Sequence, residues 1–180
     1  MKTRYLSVLM VMCMMLTLLL GTVAAAPDGG VALASTQAVL VDGNAYTFYA
    51  YGLYDDKGGL TNYVKLRDVA ILLSGTDAHF QVDWKEGVIF LTTGEDYTAV
   101  GGELEEFFSG DQPYVVGDTP VWLDGEPIQL DAITLTDAKG GNHNYFKLRD
   151  LGQALNFNVG WNKETNSVYV ESDKPYTDAD

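Results

Sequence analysis

The residues of this chain that could do chemistry come in matched pairs. Asn62-Tyr63-Val64-Lys65-Leu66-Arg67-Asp68-Val69 recurs as Asn144-Tyr145-Phe146-Lys147-Leu148-Arg149-Asp150-Leu151, so each copy places a lysine, an arginine and an aspartate within four positions. Basic groups at a helix start can hold an anion. The same residues can equally cap and solvate a short helix, with Asp68 and Asp150 near its positive end. Charged residues on a short amphipathic helix usually form its wet face, so this second reading is preferred. Asp55-Asp56-Lys57-Gly58-Gly59 and Asp137-Ala138-Lys139-Gly140-Gly141 join acid to glycine. Calcium takes about six to eight oxygens, and these loops lack the regular acid spacing and closing bidentate Glu that would supply them. Turn chemistry accounts for them. His79 and His143 are the only histidines and fall at different points of the two copies, so they read as surface loop residues, not as a copper site. No Ser/His/Asp arrangement, nucleotide-type glycine loop or Cys/His ligand spacing occurs. No catalytic residue, metal or cofactor is therefore assigned. Carboxylates are plentiful, but none is singled out as half of a hydrolytic pair.

The ends and the composition bound what these residues can serve. Met1-Lys2-Thr3-Arg4, an apolar run to Leu20 and a small-residue stretch ending Ala24-Ala25-Ala26-Pro27 have the three parts of a secretory signal peptide, expected over residues 1–26. Cys13 lies inside that run, so the mature chain would hold no cysteine and no disulfide. Removing Lys2 and Arg4 leaves 9 basic residues against 25 acidic ones and takes the net charge from −14 to −16. Such a surface repels phosphate backbones and anionic headgroups, which argues against nucleic-acid and membrane-surface partners. No membrane span is expected after cleavage.

The elements that must position these side chains repeat as well. A constant shift of 82 residues carries Val41-Asp42-Gly43 onto Leu123-Asp124-Gly125 and the first Asn-Tyr segment onto the second. Further on, the shift is 77 and carries Phe80-Gln81-Val82-Asp83-Trp84 onto Phe157-Asn158-Val159-Gly160-Trp161. After the tryptophan, the turn reads as three residues longer in the second copy, aligning Val88 with Val168. Leu66, Val69, Ala70 and Leu73 mark one face of a short helix, matched by Leu148, Leu151, Gly152 and Leu155. Val39–Val41 and the run from Ala45 to Tyr51 flank a tight-turn signal and predict a hairpin. A second hairpin follows each helix. The expected fold is α+β: two tandem β-β-α-β-β repeats, each a small antiparallel sheet packed on one short helix. They span residues 36–98 and 115–172, with an acidic, Gly-rich linker over 99–114 and an acidic tail over 173–180.

The Tyr-Val/Phe-Lys-Leu-Arg-Asp segment, the aliphatic helix after it, the strand ending in Trp and the Val-Tyr-Val type strand resemble the stalk domain. This is also called the copper amine oxidase N-terminal-like domain of secreted Gram-positive proteins. The resemblance covers both repeats. Many members carry Pro where this chain has Lys65 and Lys147. In the oxidases the module is an appendage to a separate catalytic domain, so the resemblance implies a non-catalytic cell-envelope module that binds or spaces.

Comparison of the copies separates packing from function. Tyr46 and Phe48 match Ile128 and Leu130, and Trp84 matches Trp161, so these are assigned to the core. Tyr49 instead matches Asp131, Tyr54 matches Thr136 and Trp122 matches Leu40. Tyr49, Tyr54 and Trp122 are the candidates for a ligand-facing aromatic patch, since exposed rings stack on sugars or anchor protein partners. The expected ligand is a cell-wall polysaccharide or an extracellular protein. The alternative from another class is a small extracellular hydrolase or enzyme accessory subunit with an unidentified carboxylate site.

Overall fold

The computed structural model describes residues 28–35 and 38–178; the expected signal segment, residues 1–26, lies outside the described residues. Runs of β-branched and aromatic residues broken by Gly, Asp and Asn form strands in both halves of the chain. The first half holds β1 (Gly29–Ser35), β2 (Ala38–Val41), β3 (Asn44–Tyr46), β4 (Ala50–Tyr54), β5 (Leu60–Lys65), α1 (Leu66–Leu73), β6 (Phe80–Lys85) and β7 (Val88–Thr93). The second repeats that order as β8 (Gln112–Gly117), β9 (Val121–Leu123), β10 (Glu126–Ile128), β11 (Ala132–Thr136), β12 (Asn142–Lys147), α2 (Leu148–Leu155), β13 (Asn158–Asn162) and β14 (Ser167–Glu171).

The expected pair of tandem α+β repeats is corrected by how these strands pair. The described residues are 47% strand and 11% helical, and six strands close a barrel in the order β1-β4-β5-β12-β11-β8. Neither half owns a sheet. The hairpin β6–β7 continues into β9–β10 through the parallel pair β7–β9, and β13–β14 continues into β2–β3 through the parallel pair β14–β2. A lone hairpin cannot bury its own face, and here each finds its cover in the other half. The single strand expected from Ala45 to Tyr51 also divides: β3 ends at Tyr46, and β4 leaves for the barrel.

Two symmetric clasps lock the exchange. Asp42 and Gly43, like Asp124 and Gly125, have positive φ, the backbone of a two-residue hairpin turn. That turn aims the aspartate across the parallel seam. Asp42 accepts from Ser172 N–H at 2.8 Å and Ser172 Oγ at 2.7 Å. Asp124 accepts from Thr93 N–H at 2.9 Å and Thr93 Oγ1 at 2.8 Å. These clasps, with Trp84 opposite Ile89 and Trp161 opposite Val168, equate Ile89 with Val168. The second turn is therefore two residues longer than the first, not three.

The core has two parts. The faces of α1 and α2 read from sequence are buried as expected, and with Phe80, Phe157, Val64 and Phe146 they form one cluster spanning both halves. A second cluster fills the barrel, where Tyr51 and Tyr145 meet edge to face at 5.3 Å. Phe48 and Leu130 are buried as assigned, but Tyr46 is exposed. Trp84 departs further: it is 55% exposed, while its counterpart Trp161 packs against the core. No helix among the described residues is long and apolar enough to cross a membrane.

Replacing Asp42 with Gly keeps the left-handed turn and deletes one clasp. Loss of two hydrogen bonds should lower unfolding free energy in urea by about 1–3 kcal/mol with an unchanged m-value.

Candidate functional site

The segment joining the halves, residues 94–111, is a strap laid across the fold. Lys65 Nζ donates to the carbonyls of Glu105 at 2.8 Å and Gly102 at 3.2 Å and pairs with Asp68 at 3.2 Å. Asp68 Oδ1 accepts the Leu104 N–H at 2.9 Å. The Lys-Leu-Arg-Asp segment of the first half is thus no wet face: Lys65 and Asp68 are both buried and hold the strap. Neither α1 nor α2 has a side-chain cap hydrogen bond. Phe108 enters the barrel cluster against Tyr51, while Phe107 covers the Lys65 ammonium at 4.7 Å.

Glu103 fastens the strap to itself. Its Oε1 accepts from Tyr97 Oη at 2.6 Å and Val100 N–H at 2.9 Å, and its Oε2 accepts from Gly101 N–H at 3.0 Å. Burial works to raise its pKa, but these donors outweigh burial and hold it at about 2, against 4.5 for a free Glu. Asp68 moves the other way: burial pushes it above 3.8 despite the Leu104 N–H and Lys65.

Under the strap opens a cleft of about 610 Å³. One wall is the β6–β7 hairpin with Val82, Asp83 and the exposed indole of Trp84; another is the start of α1; a third is the strap with Glu103 and Phe107. The barrel supplies a polar floor with fixed orientation. Thr134 Oγ1 donates to Asn144 Oδ1 at 2.8 Å, and Asn144 Nδ2 donates to Thr119 Oγ1 at 3.0 Å. Beside them His143 is held by Asp137 at 2.9 Å and packs between Phe107 and Phe108, at 4.5 and 5.4 Å between ring centres. The His143 hydrogen bond, with the N–H groups of Gly141 and Lys139, keeps Asp137 at about 2. Asp137 thus anchors its glycine turn and a cleft residue together. Asp55 closes the matching turn on Lys57 and Gly59, as turn chemistry requires. Among the described residues, no group of three or more His, Cys, Asp or Glu is arranged to hold a metal ion.

The structure scatters the three aromatic residues chosen from sequence. Tyr49 lies between β3 and β4 and lines a smaller cleft of about 420 Å³ with Tyr46, Phe48 and Phe108. Tyr54, at the far end of β4, is exposed, and five residues of strand put it about 16 Å from Tyr49. Trp122 belongs to a different sheet and leans on Phe90 at 6.2 Å. Sequence reasoning does not find the exposed aromatic residues of the larger cleft, Trp84 and Phe107. Trp84 was paired with a core residue by the repeat. Phe107 stood in a segment read as linker, and its one visible signal was two adjacent phenylalanines in an acidic run.

The strap's acid dependence has a definite sign. The lowered pKa of Glu103 means its contribution is complete above about pH 4.5 and is lost as pH falls toward 2. Asp68, raised, contributes the reverse: its protonated form favours the fold, so its share is present below pH 3.8 and fades as it ionises. Glu103→Gln should therefore flatten the fall in urea stability between pH 4.5 and 2 and speed proteolytic cutting within residues 99–110 at neutral pH. No family model, curated protein or solved structure matches this chain.

Proposed function

We propose that the chain is a non-catalytic, extracytoplasmic binding module of the stalk type and that the larger cleft holds a cell-envelope glycan. The observation that carries this reading is the exposure of Trp84, 55%, at a position where the other half packs a partly buried tryptophan against the core. Leaving a large indole in water forgoes about 1.5–3 kcal/mol of burial, and a ligand recovers it. A pyranose has an apolar C–H face that stacks on an aromatic ring and a rim of hydroxyls that need donors and acceptors. Trp84 and Phe107 offer the rings, and the fixed amides of Asn142 and Asn144 with the Thr119 hydroxyl offer the polar contacts. A few oriented polar groups within an otherwise apolar cleft are the usual composition of a small-ligand site.

One observation favours a small hydrolase as the second reading: Asp68 and Glu103 are pushed in opposite directions, the pattern of an acid and base pair. The strap accounts for both shifts, since every donor that lowers Glu103 lies on the strap and Asp68 is buried by it. The two readings part on one incubation. A binding module depletes from solution onto purified cell-wall glycan and leaves it intact, whereas a hydrolase releases new reducing ends. Trp84→Ala and Phe107→Ala should each weaken retention about tenfold or more. Their melting temperature should stay unchanged for Trp84→Ala, and Trp122→Ala should retain full binding. Unaltered retention in the Trp84 variant removes the glycan reading.

A further inference from the structure

Resting on that reading of the larger cleft, we infer that its ligand is an amine-bearing glycan, in which sugar amino groups are free, and not its N-acetylated or anionic counterpart. Asp68, Asp83, Glu103 and Asp118 line the cleft against Lys65 and Arg67. Lys65 is consumed by Asp68 and two strap carbonyls, and Glu103 by its three donors. Arg67 is left facing two exposed carboxylates, Asp83 and Asp118, within a chain of net charge −14. A cleft with apolar walls concentrates that negative potential on whatever enters.

A second, independent feature lies deeper. Asp68 is 1% exposed, and its Oδ2 has no hydrogen-bond partner, although Oδ1 is fully engaged. A buried carboxylate oxygen without a donor is a standing cost; Asp68 lines the cleft, and a rotation of its side chain that brings Oδ2 to a donor there removes that cost. An ammonium serves best, because a charge-assisted hydrogen bond is roughly twice as strong as a neutral one. The aromatic wall agrees: the Phe107 ring already takes the Lys65 ammonium on its face, and Trp84 gives a second ring of the kind that attracts cations. An acetyl group would cancel the ligand charge and leave Asp83 and Asp118 unanswered. A carboxylated glycan would be repelled by them.

The test titrates the folded chain by calorimetry with a glucosamine tetramer, an N-acetylglucosamine tetramer and tetralysine. The glucosamine tetramer should bind about tenfold tighter than the acetylated one. That preference should fall severalfold at about 0.5 M salt and in the Asp83→Asn, Asp118→Asn double variant, whose exposed sites leave the fold intact. Equal or tighter binding of the acetylated tetramer overturns the amine assignment while leaving the glycan reading standing. So does a preference that neither salt nor the double variant reduces. Tetralysine binding as tightly as the glucosamine tetramer overturns the assignment to a glycan in favour of a basic peptide. Failure of both sugars to bind defeats the glycan reading itself.

Discussion

β5 and β12 pair antiparallel at the centre of the barrel, Val64 opposite Phe146, with Tyr63 facing Lys147 as Tyr145 faces Lys65. Both strands are buried on both faces: Tyr63 and Tyr145 point into the barrel cluster, and Val64 and Phe146 point outward into the larger core. Four such side chains supply on the order of 1.5–3 kcal/mol each. Among the described strands, this is the pair that ties both cores together across the two halves; β4–β5 and β11–β12 do so within one half each. The eight-residue motif that repeats in the sequence is the motif that builds this pair. Each copy continues straight into its helix, so the pairing also places α1 and α2.

The repeat was legible because its residues serve the same purpose twice. Leu66 and Leu148, Val69 and Leu151, and Leu73 and Leu155 hold equivalent buried places, and the aspartate turns form on the residues that predict them. Pairing partners were not legible. Hydrophobic alternation says that β7 has a face to bury, but not whether β2 or β9 covers it. Both choices give the same pattern. The aspartates of the turns carried a trace of the answer: Asp42 and Asp124 look like ordinary turn residues, yet their carboxylates reach Ser172 and Thr93, the residues just beyond or at the end of the strands they fasten.

The candidate site eluded sequence reasoning for a related physical cause. Equating the two copies treats residues as interchangeable wherever the chain is alike, but only the start of the strap has a counterpart among the described residues, the tail whose Lys174 carbonyl and Tyr176 N–H bond Asn158 and Asn156. The strap buries Lys65 and Asp68, whereas Lys147 pairs with the exposed Asp131 and Arg149 stays in water. The asymmetry of the site thus comes from a segment outside the repeat. Burial by that segment turns a helix-start aspartate into an anchor with one unmatched oxygen.

The exchange of hairpins also sets an order of events during synthesis. β2 is among the first strands to be made, yet the strand beside it, β14, is among the last, with Val39 lying against Val168. A nascent first half exposes β2 and β7 with bare edges, each a template for another chain until its partner is translated. Neither half can reach its final form early. The protein must pass through a long partly built stage, in which the acidic surface is the main protection against association with its neighbours.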